Sequence, residues 1–184
     1  MIARLRQFRD DTGAVAAVEF ALVLPLLLTL YLGTIEAATL YSTDHKVATV
    51  ASTMADLVSR EKGAITTATL DKYFEAAETI MRPYTTSGLV QVVSLLSIDT
   101  DGVATVEWSA AHGEDAEERD ADSEYPLDAD AKINLLARGA DGWLVASEIT
   151  YPHQPLFNLI FPSTITLKHT QYFLPRYQGE IELD

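Results

Sequence analysis

The chain has 184 residues, 48% of them apolar, no cysteine, and 27 acidic against 13 basic side chains for a formal net charge of −14. That balance argues against nucleic acid as a partner outside a short basic N-terminus, because a phosphate backbone is bound by basic patches. The lack of cysteine removes disulfides, thiolate chemistry and Cys-based metal sites. The length suits one globular domain after an anchor, with stability drawn from packing.

Arg4, Arg6 and Arg9 precede Ala14 to Ile35, 22 residues whose only charge is Glu19. At about 1.5 Å per residue, a helix of that length crosses a hydrocarbon core of ~30 Å. The first charges beyond it are Glu36 and Asp44, so the basic flank stays cytoplasmic and the C-terminal part faces outward. An acid at mid-membrane costs about 2.5–3.5 kcal/mol and is a functional candidate that needs a partner. Glu19, followed by Phe20, is therefore read as a functional acid whose partner is another chain's N-terminus. Pro25 removes an intrahelical hydrogen bond and Gly33 weakens the helix, which predicts a kink or hinge between anchor and domain.

The helical period continues past the span. Val47, Val50, Met54 and Leu57 recur every three or four residues, predicting one amphipathic continuation to about Ser59, where Glu61-Lys62-Gly63 ends the helix. A second helix is expected over Thr67 to Met81, closed by Pro83, and it can pack on the first. Leu89–Leu96 and Val103–Trp108 flank Asp99-Thr-Asp-Gly102, a hairpin signal. Trp143–Tyr151 and Thr164–Leu174 are two further strands joined by a proline-containing loop. The expected fold is α+β: a long N-terminal helix and a second helix packed on an antiparallel sheet of about four strands.

Between the second and third strands, Glu114 to Asp130 holds nine acids against the single base Arg119. This density reads as a solvated excursion, and the spacing lacks the pattern of a helix-loop-helix calcium loop. A short helix over Asp128 to Ala137 is expected to follow it. His45, His112, His153 and His169 fall on separate elements without metal-pair spacing. No phosphate loop or nucleophile elbow is present, so an enzyme is the least favoured class, and neither metal nor cofactor is expected. Trp143, Tyr151, Phe157, Phe161, Tyr172 and Phe173 read mostly as sheet core. Proline-bounded Phe157–Phe161 instead predicts an exposed docking contact through Phe157, Leu159, Ile160 and Phe161.

Gly13 to Pro25 (GAVAAVEFALVLP), Leu144 to Phe157 (LVASEITYPHQPLF) and Phe173 to Arg176 (FLPR) together resemble the TadE-like proteins of the tight-adherence (Tad/Flp) pilus system, pseudopilins of the type IV pilin superfamily. The resemblance implies a pilin-like fold and a minor-pilin role in pilus assembly and adhesion. It implies residence in the bacterial inner membrane, with the domain periplasmic or carried into the pilus. The implied partners are a prepilin peptidase and other pilin-like subunits, including a companion pseudopilin. The basic leader, residues 1–13, would be removed between Gly13 and Ala14. That count makes Glu19 sixth, whereas the superfamily's acid is fifth, a position that cleavage after Ala14 would restore. A new α-amino group at either place can pair with a carboxylate about one helical turn away on a neighbouring helix. The alternatives are a membrane-tethered binding module outside any pilus and, less favoured, a soluble periplasmic protein whose apolar run is a signal peptide.

Overall fold

The computed structural model describes residues 12–127, 142–177 and 179–184. The leader up to Asp11 and the helix expected over Asp128 to Ala137 lie outside the described residues. The chain forms two compact units, Met1–Tyr41 with Gln154–Thr164, and Ser42–His153 with Ile165–Asp184.

Helix α1, Thr12–Ser59, contributes to both units. It is continuous through Pro25 and Gly33. In its apolar half Thr29 Oγ1 donates to Pro25 O and Thr34 Oγ1 to Leu30 O, each at 2.8 Å. These hydroxyls are satisfied by the helix's own backbone. The helix ends four residues before Gly63. Arg60 and Glu61 donate to the carbonyls of Leu57 and Val58, tightening the last turn. Gly63 instead opens strand β1, Gly63–Ile65, at φ +80°, so the expected glycine stop is corrected.

In the second unit the buried stripe of α1 is Val47, Val50, Ala51, Met54, Ala55 and Val58, all fully inaccessible. Leu57, expected in that stripe, is only half-buried, and Val58 takes its place. Helix α2, Thr67–Ile80, starts where Thr66 caps the Thr69 amide and buries Leu70, Phe74 and Ala77. Lys46 Nζ donates to Ile80 O at 2.9 Å, tying α2 to α1. Tyr73 donates its hydroxyl to Glu61, which pushes the phenol up to about 12.

The main sheet has five strands in the order β4-β3-β2-β5-β6. They are β2 Val90–Ile98, β3 Ala104–His112, β4 Glu124–Tyr125, β5 Gly142–His153 and β6 Ile165–Phe173. All neighbours are antiparallel. The expected hairpin is present: Asp99 Oδ1 accepts from the Asp101 and Val103 amides, and Gly102 sits at φ +75°. Gln91 Nε2 donates to Phe74 O on α2, so by alternation Val93 and Leu95 share the helix-facing side. On the opposite side Leu96, Ile98, Ala104, Val106, Tyr125, Leu144 and Ala146 form one buried cluster, flanked by Leu127 and Tyr172.

Two features exceed the expected four strands. Strand β7, Ile181–Leu183, pairs in parallel with β1, and Trp108 Nε1 donates to Ile181 O at 2.5 Å. The acidic segment contributes β4 to the sheet edge, where Tyr125 is buried. Arg119 makes a fork to both oxygens of Glu148 on β5, at 2.6 and 2.7 Å, and lies 4.5 Å over the Tyr125 ring. The segment's described acids, Glu114 to Glu124, are all exposed, while its single base and single aromatic are drawn onto the sheet.

Truncating fully buried Met54 to alanine leaves a cavity at the centre of the α1 stripe, with an expected loss of about 2–5 kcal/mol. Urea unfolding of the full chain in detergent micelles, followed by fluorescence of Trp108 and Trp143, measures it. Exposed Lys168→Ala should shift stability by no more than about 0.5 kcal/mol.

Candidate functional site

The first unit contains α1 up to Tyr41 and the connection Gln154–Thr164 between β5 and β6. From Val15 to Tyr31 every residue is exposed, including Glu19 and Phe20. Leu22, Leu26 and Leu30 are each about two-thirds or more accessible. The helix is long and apolar enough to cross a membrane, and its most apolar window has no part buried within the chain. An apolar surface all round a helix marks a segment built for lipid or for neighbouring helices.

Burial begins one turn further on. Gly33 and Glu36 are buried, and the Glu36 side chain is fully inaccessible. Its carboxylate accepts from the Phe157 amide at 3.3 Å and from the Ile160 amide at 2.8 Å. Both donors belong to the connection, which has irregular backbone and so no ladder to occupy its N–H groups. Asn158, at φ +52°, turns the chain between them, a conformation asparagine tolerates well. Glu36 follows the apolar run rather than lying in it. The Ile160 amide, helped by those of Phe157, Asn158 and Leu159, outweighs burial and holds its carboxyl below the ordinary 4.5. Gly33 has a distinct part in the same arrangement. A Cβ there would come within 2.7 Å of Ile160 Cδ1, so the absent side chain lets Ile160 seat against the helix.

The remaining predicted positions are distributed along this unit. Gly13 and Ala14 lie in the first turns of α1, and Pro25 lies within its unbroken course. Leu156, Phe157, Leu159 and Ile160 are 46–59% exposed, and Phe161 is half-buried. The fold thus brings Gly33 together with Ile160 and Phe157, and leaves Glu19 and Phe20 on the open part of the helix. Sequence reasoning missed Glu36 as the organising side chain, having taken it only as the first charge after the span. In the second unit the histidines are dispersed as expected. His169 meets Asp44 at 2.7 Å, and His112 stacks on Phe74 and meets Glu78 at 3.3 Å. Among the described residues no three His, Asp or Glu side chains are grouped to hold a metal.

Among the described residues one uncovered apolar helix runs on into an α+β domain, which defines a class, the α+β proteins with an N-terminal helix able to span a membrane. Within that class, the model of the TadE-like protein family matches residues 14–56, nearly the whole of α1. The resemblance to TadE-like proteins of the tight-adherence pilus system read from the sequence is thereby upheld. No curated protein and no solved structure matches the chain.

Because Glu36 titrates below 4.5 in the folded chain, its contribution is complete above that pH and is lost as the pH falls through the lowered value. Hydrogen-exchange protection factors of the Phe157 and Ile160 amides should therefore be constant from neutral pH down to 4.5 and fall away at lower pH as the carboxylate is protonated. Glu36→Ala should remove that protection at neutral pH while leaving the β2 and β5 amides protected.

Proposed function

We propose that this chain is a minor pilin, or pseudopilin, that takes part in assembling a tight-adherence type IV pilus and performs no catalysis of its own. Residues 1–13 serve as a leader, 14–35 as the inner-membrane span with its N-terminus cytoplasmic, and 36–184 as the periplasmic domain. The observation that carries this reading is a coincidence of extent. The TadE-like match over residues 14–56 falls on a helix whose apolar half, over its most apolar window, has no cover from its own chain.

Packing through that half against other pilin-like helices, a companion pseudopilin among them, would supply the missing neighbours. Glu19 is the charged group on this surface, and a processed α-amino group on an adjacent helix is a partner of matching charge and reach. A prepilin peptidase acting after Gly13 or after Ala14 would create that amine. Pro25 remains the place for a bend within the span.

Intact-mass measurement of the membrane-extracted protein, with and without the peptidase, is expected to show a start at Ala14 or Val15 that reverts to Met1 when the peptidase is absent. A permanent Met1 start would favour a simple membrane-tethered binding module, and a start near residue 38 would indicate a cleaved signal peptide. Glu19→Ala is expected to keep or improve membrane insertion while reducing pilus number at least about tenfold by electron microscopy, since the span loses its one costly charge. Normal piliation in that variant would remove the assigned role of the carboxylate.

A further inference from the structure

We infer that the connection Gln154–Thr164 is a membrane-interface foot, dipping its apolar side chains into the outer leaflet of the same bilayer that α1 crosses. The inference rests on reading α1 as the anchor, and four observations carry it. The eleven residues QPLFNLIFPST contain no charge, in a chain of which 22% is charged. Leu156, Phe157, Leu159 and Ile160 are 46–59% exposed within five consecutive residues, and apolar exposure so concentrated, unlike scattered single residues, calls for a cover. The connection is tied to α1 at Gly33 and Glu36, where the 22-residue apolar run ends. With that run spanning ~30 Å, the patch falls at the depth of the interface, where Tyr31, 64% exposed, supplies the aromatic character typical of that zone.

The fourth observation concerns the backbone. Irregular chain can enter a water-poor layer only when its N–H groups have partners. Here Pro155 and Pro162 have no N–H, and the amides of Phe157 and Ile160 are taken by the Glu36 carboxylate. A carboxylate without exposed surface thus serves a loop with exposed hydrophobes, the reverse of what an aqueous surface loop requires. With no charge in the connection, its contact with lipid is apolar and independent of headgroup charge.

The absence of cysteine permits single-site labelling of the full chain. Leu159→Cys, with Leu26→Cys as the span reference and Asp101→Cys as the domain reference, would each carry an environment-sensitive nitrobenzoxadiazole dye in phosphatidylcholine vesicles. The dye at 159 is expected to be at least about threefold less quenched by iodide than the dye at 101. It should be quenched more by lipid spin-labelled near the headgroup than by lipid labelled deep in the chain, with the opposite order at 26. Adding phosphatidylglycerol should change none of this. In a Glu36→Ala background the 159 dye should become more accessible to iodide, and an unchanged depth would overturn the role given to the carboxylate.

Iodide access at 159 equal to that at 101, with 26 still buried in lipid, would overturn the foot and leave the anchor standing. Shielding from iodide without quenching by either lipid would mean a protein cover, such as a second copy, and would overturn it equally. Iodide access at 26 would defeat the anchor, and the foot with it.

Discussion

Helix α1 changes which of its faces are apolar between Tyr31 and Thr43, as the anchoring proposed above would demand of a helix that leaves lipid for a folded domain. Before it, every residue from Val15 is exposed. After it, a stripe of Val47, Val50, Ala51, Met54, Ala55 and Val58 disappears into the core of the second unit. The two surfaces answer different demands, since lipid accepts apolar groups on all sides and a globular core accepts them on one. The Thr29 and Thr34 hydroxyls turn back onto backbone carbonyls, so polar groups in the first surface need nothing from outside.

At the changeover an acid would ordinarily be a burden. Glu36 is inaccessible, yet the Phe157 and Ile160 amides meet it with the N–H groups that an irregular loop must place somewhere. Each side solves the other's difficulty: the carboxylate gains donors and the loop gains an acceptor. Glu19 stands in contrast, an exposed acid on the part of the helix that its own chain does not cover. One helix therefore carries an acid whose partners are intramolecular and another that its own chain leaves exposed.

The long elements were legible because they repeat. An unbroken apolar run and a three-to-four spacing specify a helix; β2 and β3 announce themselves by composition around an Asp-Gly turn, and β5 and β6 by composition on either side of a proline-containing connection. The two- and three-residue strands β4, β1 and β7 have no room for a period, and their pairings depend on what the sheet leaves open. The substitution of Val58 for Leu57 in the buried stripe has a similar origin. Ala51 and Ala55 lie beside it, and small residues let backbones approach without raising the apolar signal. Glu36 was hidden for a different reason: its partners lie more than 120 residues away. The available hint was an uncharged, proline-bounded stretch, which pointed to Phe157–Phe161 as exposed but could not show where along α1 it is tied.

Arg119 has a consequence for how copies of this protein tolerate one another. Its charge is committed to Glu148 on the sheet, so Glu114, Asp115, Glu117, Glu118, Asp120, Asp122 and Glu124 have no basic side chain left within their own segment to offset them. Their field reaches outward for about one Debye length, ~8 Å at physiological salt. Wherever two such edges come closer than that, mutual repulsion opposes their approach, and the closest spacing of neighbouring domains becomes a quantity set by ionic strength.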